Sequence, residues 1–288
     1  CSKVVLYSRR NNMTRALSAW FPAAKYLTYA LLTVNVYLFL QEEMLSLEHT
    51  YAGGIEPGDI IQVFAATIDT TAWVILLLLF ELETSVLPDE AIVGWVKRVL
   101  HGIRAFCYLF IVYALYGYAI ELLTLYNIEP MVLADVCSLV GSDWSVLVFI
   151  DEYEAITQAN CSTIAANPWQ VGGFHIIAEP ETLESTQWLA WTDVINASDW
   201  ILVVLVLEFD VRLQLKGAYT DRLLAINKFI KAVLYTVLFG AAVYWWFEGD
   251  FLDFWDAFLW LFAFIFIELN VFDWQAETAA ESDEAAAC

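Results

Sequence analysis

Two long stretches of this chain, residues 43–68 and 125–195, contain no lysine or arginine. The whole protein has only 13 Lys and Arg against 35 Asp and Glu, for a formal net charge of −22. So acidic a chain excludes nucleic acid as a partner, because phosphate backbones require a basic surface. Histidine is equally sparse. His49, His101 and His175 form no pair at helical spacing, so paired histidine ligation of haem within the apolar segments is excluded for one chain. His175 lies near Glu179 and Glu181, a grouping that reads as a solvated acidic loop and not as a metal site. There is no CxxC, no glycine-rich nucleotide loop, no nucleophile elbow and no matched Ser-His-Asp set. Neither a cofactor, nor a bound metal, nor an enzymatic activity is therefore expected. Of five cysteines, Cys137 and Cys161 alone fall in a base-free stretch, where an oxidising compartment would join them as a disulfide. Cys1, Cys107 and Cys288 have no such company.

What the chain has in abundance is apolar surface. It is 60% hydrophobic and 16% aromatic over 288 residues, with a mean hydropathy of +0.61. Six runs, near 22–42, 69–87, 100–124, 196–215, 227–248 and 254–272, approach the roughly 20 helical residues that cross a hydrocarbon core. They lack the alternation of barrel strands, and lipid leaves no other way to satisfy backbone groups than helices or closed barrels. The expected fold is an all-α polytopic membrane protein of six transmembrane helices. Its segments are a cytoplasmic N-terminal stretch (1–21), hairpin 1 (22–87), a loop and helix 3 (88–124), an acidic extracytoplasmic cap (125–195), helix 4 and a loop (196–226), hairpin 3 (227–272) and an acidic disordered tail (273–288).

Orientation follows from the bases. Lys3, Arg9, Arg10, Arg15, Lys25, Lys97, Arg98, Arg104, Arg212, Lys216, Arg222, Lys228 and Lys231 all fall on one side of this topology, which the positive-inside rule assigns to the cytoplasm. A plasma (inner) membrane protein with both termini cytoplasmic is expected. The basic N-terminal segment also speaks against acylation of Cys1. In the cap, the run from Ser145 through VLVFI is too short to span and reads as a buried strand. The dense aromatics of YWWFEGDFLDFWDAFLWLFAFIF read as an interfacial belt around a tight hairpin.

A repeat lies within the apolar runs. The pattern [DN]-x3-W-x7-E-[LF]-[EDN] occurs three times: Asp69, Trp73, Glu81, Glu83; Asn196, Trp200, Glu208, Asp210; and Asp256, Trp260, Glu268, Asn270. The preceding spans share [KR]-x3-Y-x12-E: Lys25, Tyr29, Glu42; Arg104, Tyr108, Glu121; and Lys231, Tyr235, Glu248. Three copies of a two-helix hairpin account for both. Asp69, Asn196 and Asp256 are expected to cap helix starts and the three tryptophans to sit in the outer interfacial belt. At 1.5 Å per residue the glutamates then lie about 12 Å deeper, in mid-membrane.

A carboxylate at that depth costs at least about 2.5–3.5 kcal/mol unless paired, hydrated or protonated. Two readings follow. In one, Glu81, Glu83, Glu208, Asp210 and Glu268, with the amide of Asn270, line a path for a cation, a proton included. In the other they pair with Lys25, Arg104, Arg212 and Lys231 and pin helices together in a non-catalytic scaffold or accessory subunit of a larger membrane complex. The expected partners are the lipid bilayer, a cation, and further copies of the chain or a larger assembly.

Overall fold

The computed structural model describes residues 2–50, 55, 57–87, 91–133, 135–165, 167–215 and 221–267. Side chains are described for these except 2–20, 85, 210–215, 221 and 224. The chain is mostly helical: α1 (Ser2–Thr50), α2 (Ile60–Val63), α3 (Ala65–Glu81), α4 (Gly94–Tyr126), α5 (Pro180–Leu215) and α6 (Asp221–Glu248), followed by α7 over residues 251–267. Five helices are long and apolar enough to cross a membrane, within Phe21–Thr50, Ala65–Thr84, Gly94–Tyr126, Pro180–Phe209 and Ala225–Glu248. The described part of α7 is apolar but falls short of the roughly 20 residues a span takes.

Between α4 and α5 lies a small sheet of β1 (Ile128–Pro130), β2 (Ser145–Phe149), β3 (Glu152–Ala155), β4 (Trp169–Val171) and β5 (Ile176–Ala178), in the order β1-β4-β5-β2-β3. Only the β2–β5 pairing is parallel. The SVLVF run forms β2, and its first three residues are buried, as a strand sandwiched between two packed faces requires. On one face Leu147, Val171 and Ile176 pack against Leu122 and Leu125 of α4 and Leu189 of α5. On the other, Val146 and Ile177 join Val136, Ile156 and Cys161 in a second small core. Cys137 and Cys161 are joined as a disulfide, with Cα atoms 4.9 Å apart. The cap is thus seated on the ends of the helices, and its end of the bundle is called the cap side below; the opposite end is the basic side.

Helix boundaries depart from hydropathy where the first turns are mixed. The fourth apolar run begins near 196, but α5 starts at Pro180. Proline suits a first helical turn, and the intervening TLESTQWLAW alternates polar and apolar residues because it packs against the cap and not against lipid. A related correction concerns the helix starts. Asp69 and Asp256 lie inside α3 and α7, and Asn196 deep inside α5, so none is a cap. For α3 the cap comes from another helix: Glu43 of α1 accepts Ala66 N–H at 2.8 Å, Thr67 N–H at 3.2 Å and the Thr67 hydroxyl at 2.5 Å. A carboxylate there neutralises free N–H groups and the positive end of the helix dipole at once.

Candidate functional site

The three tryptophans that share the sequence spacing meet at the centre of the bundle. Trp73 of α3, Trp200 of α5 and Trp260 of α7 have ring centroids 6.2, 6.2 and 6.3 Å apart, a nearly equilateral triangle. All are buried, which corrects the expectation of an interfacial belt: the pattern marks an interior contact. One helical turn towards the cap, Asp69 and Asp256 face each other electrostatically, and each carboxylate is directed at the indole of the tryptophan four residues on. Asp256 Oδ1 also accepts from Asn35 Nδ2 of α1 at 2.7 Å. The aspartate and tryptophan spacing therefore fixes a rotamer, since a carboxylate one turn away holds the indole in place.

On the basic side of this triangle the glutamates are paired. Lys25 Nζ donates to Glu81 Oε1 at 2.7 Å, and Tyr26 Oη donates to the same oxygen at 2.9 Å. Lys25 and Glu81 are only 7% and 5% exposed. Arg104 Nη2 donates to Glu83 Oε2 at 2.7 Å. Neighbours two apart point to opposite sides of a helix, so Glu81 reaches α1 while Glu83 reaches α4. The backbone assists: residues Leu82–Val86 form a wider π turn, closed by Leu87 N–H on the Leu82 carbonyl at 2.9 Å. Glu208 lies within electrostatic reach of Tyr108 and lines a cavity between α4 and α5. Lys231 lies on α6. Asp210, Arg212, Glu268 and Asn270 lie outside the residues whose side chains are described.

On the cap side a second set of carboxylates comes together, most of which no sequence pattern singles out. Glu42 of α1 is within electrostatic reach of Asp151, Asp250, Glu43 and Glu152. Glu121 of α4 feels Asp151, Asp193, Glu43 and Glu42, and Asp253 of α7 feels Asp250, Asp193 and Glu42. Tyr118 links this group to the layer beneath, within reach of Asp69, Asp193, Asp253 and Glu43. Glu42, Glu121, Asp151, Asp193 and Asp253 are half-buried, whereas Glu43 and Asp250 are buried. Beside Glu121 and Asp151 lies a cavity of about 60 Å³, lined also by Ser46, Gln62 and Thr186 and by apolar Leu125, Ile150 and Phe174, with room for several water molecules at about 10–15 Å³ each. The indole N–H of Trp245, 2% exposed, is turned towards Asp193 without closing a hydrogen bond of normal geometry.

Two members lie outside the spanning segments. Burial, and then the charge of Asp250, pushes Asp151 up to about 6. Burial also raises Asp250, against hydrogen bonds from Asp253. Asp151 sits at the β2–β3 turn with φ 56°, a left-handed conformation that aspartate tolerates better than most residues. By contrast the exposed Asp143 is held below the ordinary carboxylate range by His175, whose Nδ1 is 2.6 Å away. His49, also on the cap side, is held by Ser145 Oγ at 2.9 Å.

A signal for this second set existed in the sequence. Glu42 and Glu121 occupy the last position of the weaker repeat pattern, and no lysine or arginine lies between residues 26 and 96 or between 105 and 211. Asp151, Asp193, Asp250 and Asp253 share no spacing, because a loop, a helix and a tight turn bring them in separately. No protein-family model, curated protein or solved structure matches this chain.

Proposed function

We propose that the protein is a multi-pass membrane protein that takes up cations, protons foremost, into a carboxylate chamber on its cap side and passes them towards the opposite face. The observation that carries this reading is the electrostatic contact among Glu42, Glu121, Asp151, Asp193, Asp250 and Asp253, from α1, α4, the cap, α5, the turn before α7 and the start of α7, in stretches (26–96, 105–211 and 232–288) that hold no lysine or arginine. Like charges crowded at low dielectric are neutralised by protons, bound cations or water, because leaving them ionised and dry costs far more. Among the described residues no three His, Cys, Asp or Glu side chains converge closely enough to hold a metal ion.

The route has three layers. The chamber gathers cations, Asp69 and Asp256 continue it inward, and the tryptophan triangle is a dry constriction beyond which Lys25 and Arg104 hold Glu81 and Glu83. Passage requires the triangle to hydrate, as apolar gates do. The triangle also supports three hairpins grouped about one axis, because the same position of each repeat unit supplies one ring.

A second reading, a scaffold or accessory subunit of a larger membrane complex, is favoured by the Lys25–Glu81 and Arg104–Glu83 pairs, which occupy the very carboxylates that a mid-membrane path would use. Proteoliposomes loaded with a pH-sensitive dye separate the two. Proton uptake by the wild type that falls about tenfold or more in Asp193→Asn and Glu121→Gln, with melting temperatures no lower than that of the wild type, supports the chamber. Absence of uptake by the wild type, with Glu81→Gln unfolding the bundle, supports the scaffold.

A further inference from the structure

Three polar side chains stand one turn apart on α5: Asp193, Asn196 and Asp199. The first belongs to the cap-side chamber, with the indole N–H of Trp245 turned towards it. The other two serve neither the chamber nor the triangle. Asp199 is 6% exposed, and neither its Oδ2 nor the Oδ1 of Asn196 has a hydrogen-bond partner among the described residues. Among the same residues no charged group lies within electrostatic reach of Asp199. Two residues turn an α-helix by about 200°, so Asp199 points away from Ile201, which with Val204 and Glu208 faces α4. Asn196 holds the repeat position that Asp69 and Asp256 fill in the other copies, where each carboxylate is directed at the indole one turn on. Its amide oxygen is left open instead. The next positions on this flank, Val203 and Val206, are apolar, and the polar series ends level with Trp200.

A buried carboxylate with no cation near it is neutralised by a proton, and a buried polar atom with no protein partner is satisfied by water. Side chains three apart on a helix hold their Cβ atoms roughly 5–6 Å apart. That is long for a direct bond but suits one bridging water, whose two bonds of about 2.8 Å span it. An amide fits the middle rung, because it donates to water and accepts from it without titrating. From this arrangement we propose that the chamber has a side branch, in which Asp193, Asn196 and bridging waters deliver protons to a storage site at Asp199. The branch rests on the first half of the uptake reading, that protons reach the chamber from the cap side. A proton leaves the Asp193 carboxyl, crosses the waters held by Asn196 and ends on Asp199 Oδ2, and the chamber then reprotonates Asp193.

The test is infrared spectroscopy of the full chain in phospholipid vesicles, following the C=O stretch of neutral carboxyl groups after transfer to heavy water. A band present in the wild type and missing from Asp199→Asn marks the stored proton. It should shift within minutes of transfer, and about tenfold more slowly in Asn196→Leu, the factor that one lost hydrogen bond commands. Asp193→Asn should slow it likewise, and decides the matter where Asn196→Leu does not fold. A wild type without the band would overturn the proposal, as would a band that resists deuterium for hours. So would a shift at the wild-type rate in either folded variant. None of these readouts depends on transport. Exchange at Asp199 through Asn196 in vesicles that take up no proton would end the uptake reading and leave the branch standing, whereas uptake beside a dry Asp199 would do the reverse.

Discussion

On the basic side of the tryptophan triangle a buried glutamate has a lysine nitrogen 2.7 Å away; on the cap side six carboxylates are linked by electrostatic contacts among which no described lysine or arginine takes part. The residue type is the same and the environment differs in one respect, the supply of cations. Where bases are present, each carboxylate is tied to a particular partner on a particular helix, which registers α3 against α1 and α4. Where they are absent, the carboxylates are left to be neutralised by protons, water or ions. One layer ties helices together; the other is where the proposed uptake of cations would take place.

The harshest way to break this contrast is to strip the paired layer of its cation. Lys25→Met should destabilise the protein by about 3–5 kcal/mol, because it leaves Glu81 charged and buried. Adding Glu81→Gln to it should recover most of that loss, as read by thermal unfolding in detergent. Next in size is the cap. Replacing Cys137 and Cys161 together by serine should cost about 2–4 kcal/mol of cap stability, measured by limited proteolysis between residues 128 and 178.

Removing a charge from the cap-side layer should act with the opposite sign. Asp193→Asn or Glu121→Gln should raise the melting temperature at pH 7 or leave it unchanged, since each relieves repulsion that no base offsets. Acidification should do likewise. The folded-state value of Asp151, about 6, exceeds its ordinary 3.8, so the folded protein binds the proton more tightly. Its contribution to stability is therefore fully present below about pH 4 and is lost as pH rises through 6. Stability measured from pH 7.5 to 5 should climb, and less steeply in Asp151→Asn, a substitution compatible with the positive φ. Smallest of all is the exposed cap pair: Asp143→Asn should leave the melting temperature unchanged within error, because a solvated pair contributes little.

Several features are legible in the chain itself. Apolar runs announce the helices, SVLVF announces a strand, and the repeat singles out Trp73, Trp200 and Trp260 as equivalent. The Lys25–Glu81 and Arg104–Glu83 pairs join bases and glutamates that lie within reach of each other once the spans are set side by side. The triangle is harder to read, and spacing alone puts its rings at an interface. Spacing along one helix says which residues are equivalent but not whether their common face points to lipid or to the axis. Glu43 as the cap of α3 is likewise invisible, being a contact between two helices with no local pattern.

What this sequence by itself determined is the distribution of charge along the chain: lysine and arginine confined to a few segments, long acidic stretches without either, and apolar lengths between. Those are properties of composition along the chain, and partitioning into lipid reads them directly. Only the tertiary structure decided which carboxylates share a space. Asp151, Asp193, Asp250 and Asp253 come from a turn of the cap, a helix and the bend before another helix, and their proximity depends on how the cap seats on α4 and α5. Electrostatic coupling falls off over a few ångströms of distance in space, and separation along the chain carries no information about it.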